Sequence, residues 1–387
     1  MKIALRLASQ HRIFATFALH AFAMGNIFPR LPDIKSSMGV AEGALGLSLI
    51  GLPIGTLVAL TLAATALERI GFRRSLLSLM PFVAIIYAIA VHATNPPIFF
   101  LLLIPVGMLI GCIEVIINVE ADRTEKLIER RIMNRAHAFW SFGFFGAGLF
   151  GATMAHLGIS PQLHLALVVP ISILGIALFL GQYQPAPKRF EEADGEKPKF
   201  ARPTVAILVL VGVTVPAMLM EGAGIDWSAI YMRSTFSSGP FVAGAAVAIG
   251  ALSQAITRFF VDDFIDTHSP SSVARFLLWG LLAGIVCVFF PLSPIISLVG
   301  FCLIGFGTSA IFPMALSAAA QRTDRPSVIN VASLAQFAFT VFLVGPPLLG
   351  TVAEHWGITW AFGIALPLVI FSIVTAGALG AKSPQDN

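Results

Sequence analysis

Three carboxylates stand inside long apolar runs, where an ionised group is costly and is kept for a purpose: Glu114, Glu221 and Asp226. Two share the stretch Met218-Leu219-Met220-Glu221-Gly222-Ala223-Gly224-Ile225-Asp226-Trp227-Ser228. The glycines beside Glu221 let a neighbouring helix or a ligand approach the backbone. Glu114 and Asn118 are four residues apart and share one helix face. Acids so placed can gain or lose a proton as their surroundings change, or hold the hydroxyls of a polar solute. Arg30 is the cation to set against them. Counting helical rise, Arg30 and Glu221 each lie about 16 residues, or ~24 Å, from the same end of their runs. We therefore expect them to pair or to hold solute jointly; the alternative for Arg30 is to snorkel outward. Asp226 lies nearer the far surface, where a helix-end role competes with a functional one.

Other side chains could complete such a site. Trp140 and Trp227 could stack on a ring, or anchor at a membrane interface. His137 could relay protons, or serve as a hydrogen-bonded interface residue. Asn26, Gln254, Asn330 and Gln336 offer neutral hydrogen bonds. No nucleotide-binding loop, metal cluster or catalytic triad is present, and no stretch between apolar runs is long enough for an ordinary domain. We expect no enzyme activity, no catalytic residue, no metal and no cofactor.

The elements that carry these residues are apolar helices. Of 387 residues, 57% are hydrophobic and 11% charged, with mean hydropathy +0.88. Soluble domains carry about 25% charged residues, so the deficit places the chain in the multi-span membrane class. Cys112, Cys287 and Cys302 all lie in apolar runs and are expected to be packing residues. Twelve runs are read, roughly 13–33, 43–66, 75–94, 97–119, 135–157, 161–182, 204–232, 241–261, 273–292, 294–319, 328–352 and 357–380.

Charge then orients them. Of 24 Lys and Arg, only Arg30, Lys35 and Arg233 fall on one side of this map. The rest mark the cytoplasmic side, with both termini there, so the net charge of +4 reads as topology and not as a nucleic-acid footprint. The polar segment 185–203, rich in Pro and mixed charge, reads as a flexible cytoplasmic linker between a six-helix half at 1–184 and another at 204–387. An all-α membrane protein with two pseudo-symmetric halves is expected, its site at the midplane between them.

Short motifs add a resemblance. Ala66-Leu67-Glu68-Arg69-Ile70-Gly71-Phe72-Arg73-Arg74 resembles the loop signature of the major facilitator superfamily, with Glu68 in place of the usual aspartate and Ala64 in place of a glycine. The resemblance implies that Glu68, Arg69, Arg73 and Arg74 form a charge-based latch holding the halves together when the transporter faces outward. Thr257 to Asp266 looks like a degenerate second copy in which Arg258 and Asp262 stand four apart; a plain interfacial ion pair is the alternative. Gly107 to Asn118 resembles the fourth span of fucose-permease-like sugar:proton symporters, matching at Glu114 and Asn118. The first-span aspartate of those permeases has no counterpart in Asn26-Ile27-Phe28-Pro29-Arg30-Leu31-Pro32. That stretch, Glu221 to Ser228, and His137 to Gly143 together resemble bacterial inner-membrane permeases of this branch.

The resemblance implies alternating access in the inner membrane, proton-coupled uptake of a sugar or polyol, and a monomer whose partners are solute, proton and lipid. The competing expectation is a proton-antiporting exporter of amphipathic compounds. The fifth-span exporter run has a proline after its second glycine; Gly143 to Gly151 has none, which leans toward uptake.

Overall fold

The computed structural model describes Leu5 and residues 7–130, 132–187 and 202–380. Eleven helical stretches among them are long and apolar enough to cross a membrane. The first span is broken, as Ser9–Gly25, the 3-10 turn Phe28–Arg30 and Leu31–Met38, and completes the set. Span 2 is Glu42–Leu49 with Gly51–Ile70, span 3 Phe72–Ala90, span 4 Pro96–Leu127, span 5 Met133–His156 and span 6 Pro161–Leu180. Span 7 is Val205–Phe236, span 8 Pro240–Thr267 and span 9 Pro270–Phe289. Span 10 is Pro294–Thr308 with Ile311–Ala320, span 11 Ser327–Trp356, and span 12 Ile358–Gly363, Leu366–Thr375 and Ala376–Leu379.

Local chemistry sets many of these starts. Asn95, Ser160, Ser269 and Ser293 each cap a helix whose first residue is proline, so the missing proline N–H costs nothing there. Span 1 breaks where Pro29 and Pro32 interrupt the backbone ladder. Asn26 holds the break: its Nδ2 donates to Phe22 O at 2.7 Å, and its Oδ1 lies 3.0 Å from His164 Nε2 on span 6. Spans 4, 7 and 8 outrun their apolar stretches, reaching Leu127, Phe236 and Thr267. Hydropathy ends where charge begins, but the backbone ladder does not.

Spans 1 to 6 pack with one another, and so do spans 7 to 12; span 5 against span 8 is the broadest contact between the groups. One end of the bundle carries Gly181 to Pro187 and Arg202, and we call it the linker end. Toward the opposite, far end the groups close tightly. A Cβ on Gly244 would come within 2.7 Å of the Ala152 Cβ, so spans 5 and 8 meet there only because residue 244 has no side chain. Gly46 of span 2 lies likewise against the Pro346 carbonyl of span 11. The linker-side part of span 2, Gly51–Ile70, barely touches span 11. The two groups are thus closed at the far end and splayed along that seam at the linker end.

Candidate functional site

Glu221 sits in the middle of span 7, half-buried, and its Oε1 accepts from Gln254 Nε2 at 2.8 Å and Arg258 Nη2 at 3.2 Å, both on span 8. Arg258 also donates through Nε to Ser309 O at 2.9 Å, at the break of span 10. Its Nη1 donates across the seam to Ser141 Oγ on span 5 at 3.0 Å, and Gln254 Oε1 lies 3.2 Å from the same hydroxyl. Both charged side chains are under a fifth exposed. Such a pair is held by its hydrogen bonds as much as by charge, and losing one partner leaves the other stranded.

The second cluster belongs to the other half. His20 Nε2 on span 1 lies 3.2 Å from Glu114 Oε1 on span 4, with His20 fully buried and Glu114 28% exposed. Asn118 Nδ2 donates to Glu114 O at 2.9 Å and Oε2 at 3.2 Å, as helix spacing dictates. His137 packs edge-on against Phe17 and stands near enough to both Glu114 and Arg258 to interact with their charges. One acid in each half therefore faces the seam with a basic partner of its own. On the Glu221 side is a narrow pocket of about 30 Å³ lined by Trp140, Phe144, Met220, Glu221, Gln254 and Phe301, among others. Trp140 is stacked on Phe144 at 5.3 Å between centroids.

Several expected placements change. Arg30 does not meet Glu221: its Nε pairs with Asp33 at 2.9 Å and its Nη2 donates to Ile159 O at 2.8 Å. The break in span 1 carries Arg30 toward the end of span 5, off the path that a straight helix would follow. Arg258 does not pair with Asp262, because Arg258 is turned into the seam; Asp262 accepts from Asn134 of span 5 at 2.6 and 2.7 Å. With the linker end splayed, Arg73 is engaged within its own half. It donates to Tyr183 O at 2.7 Å and Gly181 O at 3.3 Å, capping the end of span 6 in its own half. Arg74 is exposed, and the side chains of Glu68 and Arg69 lie outside the described residues.

Trp227 is fully buried in the helix packing, with its ring edge beside Gly350. Asp226 is half-buried, and its charge is felt by the buried Tyr87 of span 3. Asn26 is spent on the span 1 break. Asn330 is buried but turned to the linker end, where its Nδ2 donates to Asp324 at 3.0 Å. Gln336 is half-buried on span 11. His20 and Ser141 are the partners that sequence reading missed. A histidine amid an apolar run is a signal for the first; a lone serine beside Trp140 carries none.

At the linker end, Glu120 on span 4 is buried and accepts from Tyr183 Oη at 2.6 Å and Ala186 N at 3.0 Å, with Arg123 at 3.3 Å. Burial first, then the charge and hydrogen bond of Glu120, push the Tyr183 phenol well above its usual range. Between spans 10 and 11, against the upward push of burial, hydrogen bonds from Arg322 and Asn330 hold the Asp324 carboxyl below its usual range. Among the described residues no group of His, Cys, Asp and Glu could hold a metal ion.

Comparison with known proteins agrees with this architecture. Residues 209–386 match the family model for the Major Facilitator Superfamily. An uncharacterized MFS-type transporter of Yersinia pestis is 26% identical over 370 residues, 94% of each chain. The membrane protein MosC of Rhizobium meliloti is 24% identical over 349 residues, 88% of this chain and 83% of that one. Among solved structures, a mutant of the nucleoside transporter NupG superposes with TM-score 0.73 at 14% identity, covering 96% of this chain and 99% of that chain. The D-xylose-proton symporter gives 0.70 at 11%, covering 97% of each, and a variant of the E. coli fucose:proton symporter FucP gives 0.63 at 15%, covering 96% and 98%.

Proposed function

We propose, from the premise that this chain is a transporter of the major facilitator superfamily, that it takes up a small polar solute, a sugar or polyol, together with protons. The observation that carries the reading is the pair of acids facing one seam, Glu221 held by Arg258 and Gln254, and Glu114 held by His20 and Asn118. Ser141, donor and acceptor at once, ties the two halves at this level. Solute hydroxyls would exchange for these internal hydrogen bonds, as a polar ligand must when it enters a satisfied site. Trp140 supplies a ring face on the pocket wall.

Glu114 is the coupling acid in this reading. A proton on its carboxyl would break the attraction to His20 and free the spans 1 and 4 to shift, while solute loads on the Glu221 side. The halves then rock about the seam, opening the far end as the linker end closes. The positive-inside asymmetry supports a linker end and both termini in the cytoplasm of a bacterial cell. Named neighbours support the solute class, since two are sugar:proton symporters by description.

The test is proton movement in proteoliposomes on adding sugars, polyols or hydrophobic cations, with Glu221→Gln and Glu114→Gln beside wild type. Outside alkalinisation on adding a sugar, lost in both variants, supports uptake by symport. The apolar pocket wall of Phe144, Met220 and Phe301 favours a second reading, export of amphipathic compounds. Response to hydrophobic cations alone, in the opposite sense, would replace the first reading with it.

A further inference from the structure

A second cavity lies away from the seam pocket. It is an open cavity of about 460 Å³ at the far end, lined among others by Arg30, Asp33, Ser37, Ser160, Gln162 and Arg233. Arg30 is 3% exposed, yet its Nη1 meets no hydrogen-bond partner among the described residues. Arg30 lines the cavity, and its unpartnered Nη1, itself sealed from solvent, is a donor in want of an acceptor that a group displacing Asp33 could supply. The cavity also receives the N-terminus of span 6, where Ser160 caps and Pro161 and Gln162 begin a 20-residue helix. Pro161 has no N–H and Leu163 N is taken by Ser160 Oγ, so this end offers the Gln162 N–H and the helix dipole, which favour negative charge.

The charge balance points the same way. Two cations, Arg30 and Arg233, face one anion, Asp33, which bridges them: Oδ2 to Arg30 Nε at 2.9 Å and Oδ1 to Arg233 Nη1 at 2.9 Å. The remaining excess is one positive charge, with exposed serine hydroxyls at the rim. We infer that this cavity is a binding site for a small organic acid, its carboxylate seated on Arg30 and Arg233 and its hydroxyls on Ser37, Ser160 and Gln162. Because Asp33 belongs to span 1 and Arg233 to span 7, a carboxylate that displaces Asp33 also dissolves an ion pair that joins the two halves at the closed end. Occupancy therefore favours opening of that end. The site is separate from the Glu114 and Glu221 clusters, so its binding stands whether or not the proposed sugar uptake holds.

Isothermal titration of the purified full chain in neutral detergent tests this, with sodium glucuronate as probe and glucose and sodium chloride as controls. Saturable glucuronate binding is expected, absent with glucose and not matched by chloride. Arg233→Gln should weaken it about tenfold, the loss of one charge-assisted pair. Asp33→Asn should tighten it several-fold, since the competing anion is gone; a merely structural change would not move the two variants in opposite directions. No binding in wild type, or equal affinity in all three proteins, overturns the proposal. A phospholipid headgroup offers the same anionic chemistry, so the titration is repeated in nanodiscs of phosphatidylcholine with and without phosphatidylglycerol. Glucuronate binding unaffected by the anionic lipid supports a solute site; binding abolished by it assigns the cavity to lipid and overturns the solute.

Discussion

Arg258 holds Glu221 at 3.2 Å while its other amino group reaches Ser141 in the opposite half at 3.0 Å. One guanidinium group thus both neutralises the acid and reports the spacing of the halves. If the halves separate at this level, the Ser141 contact is lost and the pair must find new partners, which is where a solute would enter. In the proposed mechanism, this arrangement links chemistry at the seam to the rocking of the bundle.

This pair should behave as a unit. Glu221→Gln or Arg258→Gln alone is expected to destabilise by about 1–3 kcal/mol, less than a fully buried pair because the site is partly wet. The double substitution should cost less than the sum, with a coupling of about 1–2 kcal/mol. Thermal unfolding of the four proteins in one detergent measures it, and strict additivity would show that the two side chains do not depend on one another.

At the far end, Glu354 of span 11 accepts from the Gly43 N–H of span 2 at 2.9 Å, and Asp33 pairs with Arg233. Each contact crosses between halves. Spin labels replacing Leu47 and Leu348, both exposed on the flanks of spans 2 and 11, should give a short distance in the parent. In Glu354→Gln with Arg233→Gln the distribution should shift to longer distances by several ångströms as the far end opens. An unchanged distribution would mean that glycine packing alone keeps it shut.

Tyr183→Phe removes the donor to Glu120, leaving a buried carboxylate one partner short. We expect a loss of about 1–3 kcal/mol, with the transport activity of the folded protein intact. Thermal unfolding with and without the substitution checks this; a change confined to transport would instead move Tyr183 into the working site.

Asp324 supplies a pH dependence with a definite sign. Its carboxyl is held below the usual range, so its contribution is present above the unfolded value of 3.8 and is lost as pH falls through the lower folded value. The group is mostly open to water, so the contribution is at most about 0.5 kcal/mol. Asp324→Asn should be slightly less stable than wild type at pH 7, with the difference shrinking as pH falls below 3.8, as read from paired melting curves. A difference that grows on acidification would reverse the assigned sign.

Composition, span order and the sidedness of charge were all readable in the chain. Hydropathy, proline position and helix caps act over a few residues, so Asn95-Pro96 or Ser293-Pro294 announces a helix start wherever it is folded. The acids were readable too, because any carboxylate in an apolar run stands out. Glu114 with Asn118 needed only the helical repeat. Partners across helices needed more. Depth along a helix says which residues share a level, but not which way each faces or which helix lies beside it. Arg30 and Glu221 were matched by depth, yet the break at Asn26 to Arg30 sends Arg30 to Asp33. Arg258 and Asp262 have ideal spacing, yet spans 7 and 10 offer Arg258 a carboxylate and a carbonyl that no spacing rule foresees. His20 meets Glu114 because spans 1 and 4 pack together, a contact between residues 94 positions apart in the chain (114 − 20). Rotation of each helix is chosen by the packing of small residues such as Gly46 and Gly244 against their neighbours, and that choice is made only when all the helices are assembled.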